Sequence, residues 1–417
     1  MPKRHFLVLT STLLLCLSLS ACGGGAAAAP AATQPPAQPP AQPTGTLIPD
    51  YNTNPLPADA SGMPSNAVQL ASKIRVGWNL GNTLEASGGE TAWGNPRTTL
   101  ELIQLVKRNG FNAIRLPVAW NQYADQATGK ISAAWLDRVK EVVTMAVDSD
   151  LYVIVNIHWD GGWLENNLTP DKQAAVGAKQ KAFWQQIATH LRAFDERLLF
   201  ASANEPNADD AAMMGVLMAH HQTFVDAVRA SGGRNAHRVL IVQGPHTDIE
   251  KTSRLMSGLP RDTVAGRMMA EVHFYPFQFT LMDKEESWGR PVYYWGAGYD
   301  SATDAAHNAT QNEEAWVDQM FALMKAKFVD QGIPVVLGEY GAIRRDSLTG
   351  DNLTLHLASR AHYLNYVTRR ARASGMLPFY WDAGNLGDKT MSLFDRRALT
   401  VYDRQALDAV IQGAGGG

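Results

Sequence analysis

Apolar residues recur along the chain in two alternating registers. Short apolar or β-branched runs stand at 74–78, 113–118, 152–158, 198–203, 239–243, 268–273, 335–338 and 379–381. Between most of them the period lengthens to that of a helix. Residues 99–108 carry apolar positions at Leu102, Leu105 and Val106, and residues 134–148 at Leu136, Val139, Val142, Val143 and Val147. Further helical stretches fall at 178–194, 211–230, 313–328 and 355–373. Strands apolar throughout, alternating with amphipathic helices, predict a parallel sheet covered on its outer face. Eight such units with no linker among them predict a (β/α)8 barrel. An open doubly wound sheet wants a G-x-G-x-x-G turn after its first strand, whereas this chain has Asn79-Leu80-Gly81-Asn82-Thr83. The stretch 275–312, rich in Trp, Tyr and Gly, is expected to form a large loop over the active face.

The first sixty-four residues follow neither register. Lys3 and Arg4 precede an apolar run from 6 to 19 that is short for a membrane-spanning helix and ends in small residues, which reads as an export signal covering residues 1–21. Its ending, Leu19-Ser20-Ala21-Cys22, resembles a bacterial lipobox, which implies cleavage before Cys22 and lipidation of its thiol. A glycine triplet, an alanine run and six prolines between 30 and 44 follow. Such composition cannot bury a core and favours extended polyproline conformations, so residues 22–64 are expected to be a spacer. The catalytic domain is expected at 65–417, exported and held on a bacterial membrane, at the cell surface or in the periplasm, by an N-terminal lipid.

Charge and composition then narrow the chemistry. With 37 Lys+Arg against 40 Asp+Glu, the chain lacks the electrostatic footprint of a nucleic-acid binder. Two cysteines cannot make a disulfide scaffold or a four-cysteine zinc site. Eleven tryptophans supply side chains suited to stacking on flat apolar faces. Nothing points to an oligomer, so a monomer is expected.

In a (β/α)8 barrel, chemistry collects at the C-terminal ends of the strands. Those ends are polar here: Arg115 on the second, His158-Trp159-Asp160 after the third, Asn204-Glu205-Pro206 after the fourth, His273-Phe274-Tyr275 at the sixth, Gly338-Glu339-Tyr340-Gly341 at the seventh and Trp381-Asp382 at the eighth. Ala201 and Ala203 share strand parity with Glu205 and are expected to bring that carboxylate towards the mouth. Glu205 and Glu339 form the informative pair. A neutral carboxyl can protonate a leaving oxygen while an ionised one attacks or activates water, at a separation of about 5–5.5 Å for retention or about 6.5–9.5 Å for inversion. A buried ion pair with Arg115 or a histidine is the non-catalytic alternative. No His-x-His or His-Glu-x-x-His pattern accompanies His158, Asp160 and His273, so no metal is expected.

Together, Gly77-Trp78-Asn79-Leu80-Gly81-Asn82, Arg115, His158, Asn204-Glu205-Pro206, His273-x-Tyr275, Glu339 and Trp381 resemble glycoside hydrolase family 5 of the cellulase type, over about residues 65–411. The resemblance implies retaining hydrolysis of a β-linked polysaccharide without metal or organic cofactor, with Glu205 as general acid/base and Glu339 as nucleophile. It implies further that Arg115 and Tyr275 hold Glu339, His273 orients Glu205, and Asn204 meets the sugar 2-hydroxyl. His158 would bind hydroxyls in the same subsite, Trp381 would be its floor, and Asn82 and Trp93 would lie on the glycone side. Trp159 departs from a pattern in which many relatives carry a second histidine. Trp135, Trp184 and Trp316 read as packing residues, whereas Trp163, Trp288 and Trp295 join Trp93 as candidates for further sugar subsites. The opening motif favours endo-acting cleavage of cellulose-type β-1,4-glucan. β-Mannan, xyloglucan and mixed-linkage glucan are the alternatives, and a non-catalytic glycan-binding lipoprotein is the reading from another class.

Overall fold

The computed structural model describes residues 48–415. The lipobox, Cys22 and the proline-rich segment lie outside the described residues. Eight parallel strands close into a barrel in sequential order: β1 (Gly77–Leu80), β2 (Ala113–Leu116), β3 (Tyr152–Asn156), β4 (Leu198–Ala201), β5 (Leu240–Gln243), β6 (Met268–Phe274), β7 (Val335–Tyr340) and β8 (Met376–Asp382). β8 pairs back with β1, matching Phe379 to Gly77 and Asp382 to Leu80. Each strand is followed by a helix: α1 (Leu100–Arg108), α2 (Ala133–Asp148), α3 (Gln173–Leu191), α4 (Ala211–Ala230), α5 (Ile249–Leu255), α6 (Glu314–Lys327), α7 (Gly350–Ala373) and α8 (Arg404–Gly413).

Strand alternation divides the apolar side chains between two cores. Ala113, Ile154, Leu199, Ile241, Met269, Val336 and Leu377 face the barrel interior, where they pack with Leu70 and Ile74 from the helix Ala67–Lys73 and its end. The interleaved positions Ile114, Val153, Val155, Phe200, Leu240, Val242, Val335 and Leu337 join the layer beneath the outer helices. Both sides of the sheet are therefore dry, which is why the strands read as unbroken apolar runs. Among the described residues, no helix is long and apolar enough to cross a membrane.

The spacer boundary expected at residue 64 falls too late. The backbone N–H of Tyr51 donates to Gln185 Oε1 at 2.9 Å, Leu56–Ala58 pairs in parallel with Gly232–Gly233, and Met63 is buried. Pro57 can sit in this short edge strand because its missing N–H is not needed for the ladder. Prolines that mark a spacer at 30–44 thus serve here in a segment packed on the barrel.

Candidate active site

Arg115, on the barrel-facing side of β2, is fully buried and anchors the polar cluster at the strand ends. Its Nη1 donates to Glu339 Oε1 at 2.9 Å and to Asn79 Oδ1 at 3.0 Å, its Nη2 donates to Asn204 Oδ1 at 2.9 Å, and its Nε lies 3.0 Å from Glu271 Oε1. One planar guanidinium therefore ties β1, β2, β6, β7 and the segment after β4 together. With its oxygen on Arg115, Asn204 keeps its amide NH2 as the group able to donate to a sugar hydroxyl.

β7 delivers Glu339 through an irregularity. Val272 of β6 pairs with Leu337 but His273 pairs with Glu339, and Pro378 of β8 pairs with Leu337 but Tyr380 with Tyr340. Gly338 is the extra residue of a bulge. Val336 faces the barrel interior, while Tyr340, which strict alternation would place beside it, lies in the outer layer with its hydroxyl 2.6 Å from Thr368 of α7. The bulge reverses the parity and turns Glu339 inward. A Cβ on Gly338 would come within 2.0 Å of Glu271 Oε1, so glycine at this position also makes room for a carboxylate from the neighbouring strand.

Glu271 is a buried carboxylate of this cluster that the sequence reading did not single out. It is fully buried beneath the site, accepts from Gln243 Nε2 at 2.5 Å, and lies 3.3 Å from His273 Nε2. His273 Nδ1 lies 2.8 Å from Glu205 Oε1 and 3.8 Å from Glu339 Oε2. Burial works against a charge on His273, but Glu339, then the hydrogen bonds to Glu205 and Glu271, raise its pKa to about 9. His273 is thus an imidazolium at neutral pH, donating from both nitrogens. Glu205, His273 and Glu339 offer atoms within 4.8 Å of one another, and a metal there would have to displace the proton between His273 and Glu205. Asp160 is committed as well: its carboxylate caps the N–H groups of Trp120, Asn121 and Gln122.

One oxygen of Glu205 and one of Glu339 lie within 4.8 Å of each other. The Tyr275 hydroxyl donates to Glu339 Oε2 at 3.3 Å. Burial raises the Glu339 pKa above the ordinary carboxylate range. His273 and then Arg115 pull it down, and Glu205 and Glu271 add to the rise. Two cations, Arg115 and His273, therefore face three carboxyls, Glu205, Glu271 and Glu339. Arg115 holds Glu271 below the usual range against its burial. Neutrality is reached with a single proton on the Glu205–Glu339 pair, the condition in which one carboxyl can donate while the other attacks.

His158 and Trp381 form the adjacent wall, their rings 5.9 Å apart and nearly parallel at 13°. Asn156 Nδ2 lies 3.2 Å from His158 Nδ1, and burial followed by the charges of Arg115 and His273 holds the His158 pKa well below its usual value. The ring is neutral, with Nδ1 accepting and its proton on Nε2. The chain after β1 passes tightly beside Trp381: a Cβ on Gly81 would meet the indole at 2.8 Å. Asn82 follows in a left-handed conformation with φ of 56°, its N–H held by Glu85 and its carbonyl by Asn95. Trp93 stands exposed on the same excursion, where Gly94 approaches Asn385 of the loop after β8.

Two expectations fail on packing and position. Trp295 is no sugar platform: it is buried among Phe279, Tyr363 and Tyr366, with its indole N–H on the Asn312 carbonyl at 2.7 Å. The loop 275–312 was legible as Trp-rich but not as having a core of its own. Strand parity does not place Glu205 either, because β4 ends at Ala201 and the loop beyond carries the acid. Trp163 packs edge-on against Phe183, whereas Trp288 is 63% exposed.

A closed parallel barrel with two carboxyls this close at its mouth, beside an indole face and the Asn204 amide, is the arrangement of a glycoside hydrolase. The family profile described as Cellulase (glycosyl hydrolase family 5) matches residues 79–387. A xyloglucan-specific endo-β-1,4-glucanase of Bacteroides ovatus is 37% identical over 384 residues, covering 88% of this chain and 74% of that protein. Endoglucanase A of Paenibacillus barcinonensis is 37% identical over 383 residues, covering 85% of this chain and 92% of that one. The solved structure of a Bacteroides ovatus family 5 xyloglucanase in complex with a XXXG heptasaccharide superposes with a TM-score of 0.81 at 36% identity, covering 88% and 80% of the two chains. This chain belongs to glycoside hydrolase family 5.

Proposed function

We propose that the enzyme cleaves internal β-1,4-glucosidic bonds of a glucan chain by double displacement. The approach of one oxygen of Glu205 and one of Glu339 to within 4.8 Å carries this reading, since carboxyls this close agree with the shorter of the two spacings, that of attack by a carboxylate. In the first step, Glu205 gives its proton to the glycosidic oxygen as Glu339 attacks the anomeric carbon, and the leaving chain departs as an alcohol. In the second, ionised Glu205 takes a proton from water, which attacks the same carbon and frees Glu339. Arg115 holds Oε1 of Glu339, leaving the Oε2 edge beside Tyr275 for bond formation. Asn204 donates to the 2-hydroxyl as positive charge develops on the ring. His158 supplies an Nε2–H to a neighbouring hydroxyl, and Trp381 stacks on the pyranose face. Proton NMR of the first product formed from a soluble β-1,4-glucan tests this: a β-anomer is expected, and an initial α-anomer refutes the double displacement. Glu339→Gln should abolish release of reducing ends.

Xyloglucan, the same backbone bearing xylosyl branches, is the second reading, favoured by the names of the Bacteroides ovatus relative and of the superposed structure. Comparing kcat/KM on xyloglucan and on unbranched glucan decides between them. We also infer export and lipidation at Cys22, supported by the lipobox-like ending and the proline-rich spacer. Labelled fatty acid should enter the parent, and Cys22→Ala should shift the protein from the membrane to the soluble fraction.

A further inference from the structure

Glu165, in the loop after β3, takes no part in the chemistry above, yet it holds the segment that carries Glu205. The backbone N–H of Glu205 donates to Glu165 Oε1 at 2.7 Å, and the N–H of Asn207 donates to the Glu165 backbone carbonyl at 3.1 Å. Since β4 ends at Ala201, the strand itself does not fix Glu205; these two contacts act with those of the Ala203 N–H to Gln243, of Arg115 to Asn204 and of the His246 N–H to the Pro206 carbonyl in holding the segment. The Glu165 side chain is buried, and its second oxygen has no hydrogen-bond partner among the described residues.

We propose that Glu165 is a positioning residue for Glu205: it clamps the acid/base segment through two hydrogen bonds, one accepted by its carboxyl and one by its backbone carbonyl. This rests on the assignment of Glu205 as acid/base. Burial raises the Glu165 pKa to about 8 against the hydrogen bond from the Glu205 N–H, which lowers it; the charges of Glu205 and Glu339 add to the rise and that of His273 opposes it. Glu205 is faced by His273, Glu165 and Glu339, and its charge is felt by Arg115 and Tyr275. Near neutral pH Glu165 is an acid. A glutamine at this position therefore reproduces the neutral acid.

Glu165→Gln keeps an acceptor for the Glu205 N–H but can never ionise. Its turnover at the optimum is expected within about twofold of the parent. A loss of about tenfold or more in Glu165→Gln overturns the role of the hydrogen bond accepted by the Glu165 carboxyl. Glu165→Ala removes the side-chain half of the clamp and should lower kcat at least about tenfold with little change in KM, as expected for a misplaced reacting group. Parent-like kcat overturns the positioning role. The assignment of Glu205 itself is tested separately with Glu205→Ala on an aryl cellobioside whose dinitrophenolate needs no protonation. Retained bond cleavage there supports it, whereas equal loss on good and poor leaving groups removes it whatever Glu165 does. Should Glu165→Gln fail to fold, Glu165→Asp carries the test, because its shorter side chain draws the carboxyl away from the Glu205 N–H: a fall in kcat with little change in KM supports the clamp, and parent-like kcat overturns it.

Discussion

Replacing Arg115 by methionine strips two buried carboxylates, Glu271 and Glu339, of the cation between them. It also removes donors to Asn79 and Asn204. Methionine fills much of the arginine volume, so the cost is electrostatic more than steric. Breaking a buried ion pair from one side costs about 3–5 kcal/mol, a large share of the about 5–15 kcal/mol that holds a typical domain together. The pH dependence identifies the cause. In the parent, burial raises Glu271 but the Arg115 charge outweighs it, so its pKa is depressed. A depressed carboxylate contributes stability above its unfolded pKa and loses it as pH falls through the folded value. Without Arg115, burial acts unopposed by that charge, Glu271 takes up a proton in mild acid, and the deficit of the variant shrinks. Urea denaturation followed by tryptophan fluorescence, at about pH 7 and about pH 4.5, measures both quantities. A deficit below about 1 kcal/mol at neutral pH, or one equally large in acid, would show that Arg115 is not the counter-charge of this site.

Further outcomes follow from the same geometry. His273, raised to about 9, contributes stability that is fully present below its unfolded pKa and lost as pH rises through the folded value. Glu85 and Glu165, raised to about 7 and about 8, share that sign, so thermal stability should decline from about pH 5 to about pH 9, and His273→Gln should flatten the upper part. A melting temperature that climbs across this range refutes the charge assignment. Trp295→Ala is expected to lose about 3–5 kcal/mol of stability, whereas Trp93→Ala, at a half-exposed position, should leave stability within about 0.5 kcal/mol while raising KM. Trp381→Ala should lower kcat/KM about tenfold, the equivalent of about 1.4 kcal/mol of lost stacking, with the fold intact by circular dichroism.

The barrel was legible because strands dry on both faces leave unbroken apolar runs, and helices with one wet face leave a different period. The polar cluster at the mouth was legible because polar residues at strand ends interrupt those runs. Glu271 escaped notice because it lies inside such a run, Met268–Phe274, where only its charge among apolar neighbours and its shared parity with His273 hinted at a place in the barrel. Glu165 sits in a loop, and no local period reveals that its partner lies forty residues further along. Trp295 and Trp288 were indistinguishable as sequence, since burial within a loop is decided by partners such as Tyr363 from a distant helix. Prolines identified a spacer by composition, but composition could not show that residues 50–64 find an edge to pair with.

The extra residue at Gly338 bears on any attempt to move this chemistry to another scaffold. Grafting the two glutamates at equivalent strand positions of a regular barrel would leave one of them buried under a helix, because the inward orientation comes from a miscount in the backbone and not from the side chain. The transplantable unit is the irregular strand together with the neighbour it accommodates. A library that varies side chains alone, at fixed loop and strand lengths, would be searching a space in which the carboxyl of this strand never faces the barrel mouth.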